Sequence, residues 1–333
     1  MPDREWNAEQ LLETSGDYWK SCVLHAAVKL DLFTILGDGR LSTEEISRKL
    51  EADPRGIGML LTALVGMSLL EKSGNGYSNT AASSRFLSRN SSSYIGRMIM
   101  HHHNLMDSWS KLDQAVKSGK PVRRRASSSK DEKLRRDFLL GMHNNAMRTA
   151  PRLVPEIDLL NRRRLLDLGG GPGTYAVYFC RQNPGLKATI FDLPATKQFA
   201  EETVKKYGLE DRIDFAGGDY LIDDIPGSYD VAWLSHILHG EGPEECKRIV
   251  RKAVLALKPK GLIMVHDFIL NDSMDGPVFP ALFSLNMLLG TASGQAYSQA
   301  QITDMLVSAG AVDIYRIPFA GLHGSGVIRG IKR

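Results

Sequence analysis

The run Leu165-Leu166-Asp167-Leu168-Gly169-Gly170-Gly171-Pro172-Gly173 constrains the fold of this chain more than any other segment. An apolar stretch ends in an acid and passes straight into a glycine turn, and the helix pattern Thr174–Cys180 follows at once. That order is a buried strand, a tight turn and a helix of an α/β protein. Glycine at 169, 171 and 173 lets the backbone bend sharply and lets a ligand approach without a Cβ in the way. The dinucleotide fingerprint Gly-x-Gly-x-x-Gly is not met, because Thr174 stands where its third glycine belongs. Asp167 at the strand end suits a cationic group better than a pyrophosphate.

Two further strand patterns follow. Ala188–Asp192 ends in an acid about twenty residues past the turn, where a carboxylate accepts from ribose hydroxyls in doubly wound folds. Arg212–Ala216 runs into Gly217-Gly218-Asp219-Tyr220; Asp219 is placed to accept from an adenine amino group, and Tyr220 to pack on its ring. Three acids thus fall at the carboxyl edge of one parallel sheet, the edge at which such sheets bind ligands. A nucleoside carrying cationic groups meets these demands, and S-adenosylmethionine, with an ammonium and a sulfonium, is such a molecule. A plain glycine turn is the lesser alternative for the first motif taken alone, and the downstream acids weaken it further.

A length of 333 residues suggests two domains. A hydrophobic fraction of 43% and a charged fraction of 24% fit a soluble globular chain, and a net charge of +4 does not by itself argue for nucleic acid. Three widely spaced cysteines, Cys22, Cys180 and Cys246, argue against a disulfide scaffold and for a reducing cytoplasm. Cys180 and Cys246 are expected in the core. The polar start of the chain predicts no signal peptide, and no apolar run is long enough to span a membrane.

Residues 1–100 are read as one domain, with helices and one short hairpin from residue 17 to about 100. Leu41–Ile46 is a helix start with a hydroxyl cap, Arg55–Leu70 an apolar helix, and Glu71–Tyr77 a glycine-rich hairpin tip. Helix, helix and hairpin make a winged-helix pattern. DNA binding is not expected, because the helix that would enter the groove, Gly58–Val65, lacks the basic and amide side chains that read bases. Residues 101–155 supply linking helices, with patterns over 94–116 and 131–155. The Lys117–Ser129 stretch between them reads as an exposed loop, and its Arg124-Arg125-Ala126-Ser127 as a chance match to a basic-directed kinase site. From 156 to 333 strands alternate with helices, as in a parallel sheet. A helix starting at Pro243 carries the apolar stripe Cys246, Ile249, Val250, Ala253 and Leu257. The last strands are Val312–Phe319 and Gly326–Ile331.

The set Asp167–Gly173, Phe191-Asp192-Leu193-Pro194 and Gly217-Gly218-Asp219, with Ser235-His236-Ile237-Leu238-His239 and Gly261–Asp267, resembles the plant caffeate-type, bacterial antibiotic-type and hydroxyindole O-methyltransferases, over nearly the whole chain. The resemblance implies an α/β fold: a C-terminal, doubly wound, mostly parallel seven-stranded Rossmann-like sheet ending in an antiparallel hairpin, behind an N-terminal, mainly α, winged-helix dimerisation domain. It implies a homodimer in which that domain closes the partner's active site. It implies S-adenosyl-L-methionine held by Asp167, Gly169, Gly171, Gly173, Asp192, Leu193, Asp219, Tyr220 and Ser235.

It also implies that His239 is the general base. A phenol titrates near 10, and a neutral imidazole beside it takes the proton as the new bond forms. Without the resemblance, a helix-start histidine bonded to backbone is the better reading. Asp267 is expected to orient His239 and to balance its charge, as a carboxylate does in a hydrolase triad. The sequence departs from the family in two places. His239-Gly240-Glu241 stands where His-Asp-Trp is usual, and Gln301 is read as standing where plant members carry a second glutamate. Candidate pocket residues are His102, His103, Met106, Met142, His143, His236, Phe283, Asn286 and Met287. The run His101–His103 cannot turn three side chains to one ion on a helix, so no metal is expected.

The expected activity is O-methylation of an aromatic hydroxyl on a small molecule, with no nucleic-acid or membrane partner. Methylation at nitrogen, sulfur or carbon, including on a tetrapyrrole, and a cofactor-binding regulator without turnover are the alternatives.

Overall fold

The computed structural model describes residues 5–125, 131–319 and 321–333. Ala126 and Ser127 of the kinase-like motif lie outside them. The chain forms two compact units that meet in sequence after Leu105.

The first unit holds α1 (Ala8–Gly16), α2 (Tyr18–Lys29), α3 (Leu32–Leu36), β1 (Leu41–Ser42), α4 (Thr43–Leu50), α5 (Pro54–Gly66), β2 (Leu70–Ser73), β3 (Gly76–Asn79), α6 (Ala81–Leu87) and the start of α7 (Gly96–Trp109). The strands form a small antiparallel sheet in the order β1-β3-β2. Ser42 and Glu45 close a capping box on α4, and Asp53 caps α5 ahead of Pro54. In α5, Ile57, Leu61 and Leu64 recur at helical spacing and are buried. They pack with Leu32, Phe33 and Ile46 in one core. Here the structure shortens an expectation: α5 ends at Gly66 instead of Leu70. Ser68 adopts a left-handed φ of 56°, which turns the chain, and Leu70 opens β2. Met59, on the outer face of α5, is exposed.

The second unit contains α8 (Leu112–Ser118), α9 (Glu132–Leu153), β4 (Arg164–Leu168), α10 (Thr174–Gln182), β5 (Lys187–Asp192), α11 (Lys197–Lys206), β6 (Ile213–Gly217) and β7 (Tyr229–Ser235). After these come α12 (Pro243–Leu255), β8 (Leu257–Leu270), α13 (Val278–Gly290), β9 (Tyr297–Ser298), α14 (Gln299–Ser308), β10 (Ala311–Arg316) and β11 (Ser325–Lys332). The main sheet runs β10-β11-β8-β7-β4-β5-β6, with the short β9 added beside the end of β8. Pairing is parallel from β6 to β8 and antiparallel at β8-β11-β10, which is the seven-stranded order the resemblance implies.

β4 shows why a central parallel strand reads as a continuous apolar run. Leu165 packs into the core on one face with Phe179 and Trp233, while Leu166 and Leu168 pack into the other with Ile249 and Val250. Fully burying each such leucine stabilises the fold by roughly 1.5–3 kcal/mol. Cys180 and Cys246 are buried in these cores and Cys22 is exposed, all three as free thiols.

Further boundaries differ from the sequence reading. Leu257 is not the end of the α12 stripe: the helix stops at Leu255, and Leu257 starts β8 by pairing with Tyr229. β10 stops at Arg316, short of Phe319. β6 begins at Ile213, one residue late. The helix expected over 94–116 is two helices, broken where the Ser110 hydroxyl bonds the Asp107 carbonyl at 2.8 Å and competes with the helical ladder. Among the described residues no helix is long and apolar enough to cross a membrane.

Candidate active site

Three consecutive β–α connections of the second unit bring their residues to one sheet edge. In the first, Gly169, Gly171 and Gly173 all have positive φ, at 65°, 53° and 72°. Their reasons for being glycine differ. A Cβ on Gly169 would stand 2.5 Å from Ile237 Cγ2, and one on Gly173 would stand 2.3 Å from Ile190 Cδ1. A Cβ on Gly171 would meet nothing within 4 Å. Gly171 therefore faces open space, whereas the other two glycines let strands pack. Tyr220 lies against Gly169, with its ring carbon 3.4 Å from the same hypothetical Cβ.

Asp167 is 1% exposed and accepts from the Ala176 N–H at 3.2 Å. Burial outweighs that bond and pushes its carboxyl up to about 7, with the Asp192 charge adding to the effect. Asp192 accepts from the N–H groups of Gly171 and Leu193, both at 2.7 Å, and from the Thr196 hydroxyl at 3.1 Å. Two carboxylate oxygens offer about four acceptor positions, so room for a further donor remains. Asp219 accepts from Leu221 N–H at 2.8 Å. The Ser235 hydroxyl is bonded to His266 Nδ1 at 2.9 Å.

A second group lies at the ends of β7 and β8. His239 Nδ1 is 2.6 Å from Asp267 Oδ1. An ionised carboxylate only accepts, so Nδ1 carries the proton and Nε2 keeps its lone pair. Asp267 also accepts from the His239 and Phe268 N–H groups at 3.3 and 2.8 Å. His236 Nδ1 lies 3.4 Å from the same Oδ1, on a residue with a left-handed φ of 57°. Burial works against charge on Asp267, but the His239 and His236 imidazoles more than offset it and hold the carboxyl well below the usual range.

The donor atoms of His236, His239 and Asp267 lie within 4.8 Å of one another, and their types suit a divalent metal. The 2.6 Å contact is a hydrogen bond, however. Two ligands of a tetrahedral zinc stand roughly 3.3 Å apart. Around His239 the walls are aromatic: Phe283 meets it edge-on at 4.7 Å between centroids and Phe268 lies parallel at 6.1 Å. Phe279 packs on Phe268 at 5.0 Å, and His323 stacks on Phe279 at 4.3 Å.

Other expected residues fall elsewhere. His143 bonds the Thr174 hydroxyl at 2.8 Å, at the start of α10, and burial lowers its pKa to about 4. Asn286 is buried and accepts from Arg123 through both its backbone and side-chain oxygens, each at 3.2 Å. Met287 is buried in α13; Met106 and Met142 are half-buried. His102 is exposed, and His103 packs on His25 at 5.6 Å with the Lys29 ammonium 3.3 Å from its ring nitrogen, all within the first unit. Gln301, expected as a glutamate substitute, is engaged in a helix cap. Its side-chain oxygen accepts from Ser298 N–H at 2.8 Å and closes the capping box of α14. The sequence reading missed Phe268, Phe279, His323, Arg125 and Glu241. Phe268, adjoining Asp267, and Glu241, in the departure from His-Asp-Trp, had signals that could have drawn attention to them.

Residues 109–311 match the O-methyltransferase domain, and residues 12–89 match the O-methyltransferase dimerisation domain. The chain is 32% identical over 327 residues to a 3-hydroxy-5-methyl-1-naphthoate 3-O-methyltransferase of Streptomyces sahachiroi, covering 97% of this chain and 94% of that one. It is 32% identical over 317 residues to the tetracenomycin polyketide synthesis 8-O-methyl transferase TcmO of Streptomyces glaucescens, covering 93% of each. Among solved structures, human N-acetylserotonin methyltransferase in complex with S-adenosylmethionine superposes with a TM-score of 0.86 at 27% identity, over 100% of this chain and 99% of that one.

Proposed function

The chain belongs to the O-methyltransferase family, a group of S-adenosylmethionine-dependent enzymes acting on small molecules, and we propose that its acceptor is an aromatic hydroxyl deprotonated by His239. The observation that carries the proposal is the 2.6 Å contact between His239 Nδ1 and Asp267 Oδ1 inside walls made by Phe268 and Phe283. The relative named for a naphthoate supports an aromatic acceptor.

The edge of the sheet fits the cofactor. Asp167 is a buried acid raised in pKa for want of positive charge, which the ammonium of the methionine moiety supplies. The open face of Gly171 leaves space for the chain of the ligand, Asp192 has room for a ribose hydroxyl, and Asp219 and Tyr220 stand where adenine is expected. When bound, S-adenosylmethionine supplies a methyl group already activated on sulfonium sulfur.

The protein's own residues do the rest. Phe268 and Phe283 hold an aromatic ring against His239 and keep water away. His239 Nε2 accepts the hydroxyl proton as the oxygen becomes nucleophilic. Asp267, on the other side of the ring, fixes the tautomer and balances the charge on the imidazolium. Ser235 supports the arrangement through His266.

The dimerisation domain supports a homodimer, and completion of the acceptor site by the partner's N-terminal domain is part of this reading. Free thiols at Cys22, Cys180 and Cys246 support a reducing compartment, and we place the enzyme in the cytoplasm.

The test is a panel of mono- and dihydroxylated naphthoates and polycyclic phenols with labelled S-adenosylmethionine, read by product mass. Methyl gain on oxygen is expected. Transfer only to amines or carbon acids, or to no member of the panel by a protein that binds the cofactor, would overturn it.

A further inference from the structure

The segment after α8 is fastened to the second unit by two arginines, each beside a glycine. Val122 and Arg123 donate their N–H groups to the Leu289 carbonyl at 3.0 and 3.1 Å. The Arg123 guanidinium fills the space a Cβ on Gly290 would need, which would lie 2.4 Å from it. Two residues on, the Arg125 guanidinium does the same at Gly240, where a Cβ would lie 2.2 Å from Nη2. Arg125 donates to Glu241 Oε1 at 2.5 Å and to the Tyr220 hydroxyl at 3.4 Å, and Tyr220 donates to the same Glu241 oxygen at 3.3 Å. Glu241 is 7% exposed. Burial raises the Asp192 carboxyl above its ordinary value, and the positive charge of Arg125 opposes part of that rise.

These contacts make sense of Gly240-Glu241, where the sequence departs from the usual Asp-Trp. Glycine removes the Cβ that would exclude the guanidinium, and glutamate supplies its counter-ion. The two departures are thus one change, the insertion of a cation next to Tyr220 and Asp192.

We propose that Arg125 is a cofactor-site residue, whose guanidinium, held flat by Glu241 and Tyr220, forms a wall against the adenosine of S-adenosylmethionine. The inference rests on the placement of ribose and adenine at Asp192 and Tyr220 proposed above. A guanidinium is planar, weakly hydrated and always charged, so it stacks on aromatic faces, and pairing with Glu241 keeps it from repelling the sulfonium. Lysine would keep the charge and lose the plane.

The experiment is calorimetric titration of S-adenosylhomocysteine, and separately of adenosine, into four full-length proteins, each checked for an unchanged melting temperature. They are the wild type, Arg125→Ala/Glu241→Gln, Gly240→Asp/Glu241→Trp, and the latter with Arg125→Ala added. The paired substitution avoids leaving a buried glutamate alone. Arg125→Ala/Glu241→Gln is expected to weaken both ligands by roughly tenfold or more. Adding Arg125→Ala to the Asp-Trp protein is expected to change affinity less than about twofold, since the cation's place is then taken. Affinity within about twofold of wild type in Arg125→Ala/Glu241→Gln would overturn the proposal, as would a loss seen with S-adenosylhomocysteine but not with adenosine. Failure of the wild type to bind S-adenosylhomocysteine would instead overturn the placement of the cofactor on which it rests.

Discussion

The Nδ1 atom of His239 is hydrogen-bonded to the Oδ1 atom of Asp267 at 2.6 Å, joining the turn after β7 to the end of β8. That one contact decides which histidine nitrogen is free. Asp267→Asn should preserve the shape of the site and lose the proton-accepting partner, so that the other tautomer becomes accessible. Turnover is expected to fall by about 10²–10⁴ with little change in cofactor affinity. Steady-state rates beside S-adenosylhomocysteine titration check this, and a loss confined to cofactor binding would contradict it.

Asp167 sets a pH dependence of the cofactor-free protein. Its carboxyl titrates at about 7 when folded and near 3.8 when unfolded. Between those values the folded state holds the extra proton, so stability falls as pH rises from about 4 to 7. At pH 8 Asp167→Asn should therefore raise the melting temperature by several degrees while weakening S-adenosylhomocysteine by at least roughly tenfold. A melting temperature lowered at pH 8 would show that the acid is satisfied in the absence of ligand.

His143 works in the opposite sense. It is neutral when folded down to about pH 4, whereas the unfolded side chain titrates near 6.5. The unfolded state binds the proton first, so this residue's contribution is present above 6.5 and is lost as pH falls toward 4. His143→Gln should flatten the fall in melting temperature across that window. An unchanged slope would contradict this.

The glycine turn separates packing from binding. Gly169→Ala meets Ile237 and is expected to destabilise the fold by about 2–4 kcal/mol. Gly171→Ala has open space and bears mainly backbone strain of about 1–2 kcal/mol, yet it places a methyl where the ligand passes. Denaturant unfolding and calorimetry should therefore rank the two variants in different orders for stability and for affinity, with Gly171→Ala the more damaging to affinity per unit of stability lost.

Phe283 faces His239 edge-on at 4.7 Å. Phe283→Ala should raise KM for an aromatic acceptor by roughly tenfold while leaving S-adenosylhomocysteine affinity within about twofold. Equal losses in both would assign the ring to the fold and not to the acceptor.

The acids at the strand ends were legible because their signals are local, whereas the roles expected of His239 and Asp267 came from the resemblance. Asp167 and Asp192 close their apolar runs and Asp219 follows its strand across Gly217-Gly218, while His239 lies just past β7 and Asp267 near the end of β8. The misreadings came from hydrogen-bond and packing partners that periodicity does not report. Gln301 carries the right polarity, but Ser298 three residues earlier draws it into a helix cap. His103 sits on a helix expected to line the acceptor pocket, yet its ring meets His25 and Lys29. Arg125 reads as one of a run of surface arginines until Gly240, 115 residues later, is seen to make room for it. Periodicity reports which face of an element is apolar; it does not report which cation fills a missing Cβ.

The most direct measurement is single-turnover methyl transfer by His239→Ala with an acceptor from the phenol panel and cofactor at saturation. The rate is expected to fall about 10²–10⁴-fold, with S-adenosylhomocysteine affinity unchanged and the loss partly recovered at high pH, where the phenol ionises without help. A rate within about threefold of the wild type at neutral pH would contradict general-base catalysis by His239 and would place proton removal elsewhere in the site.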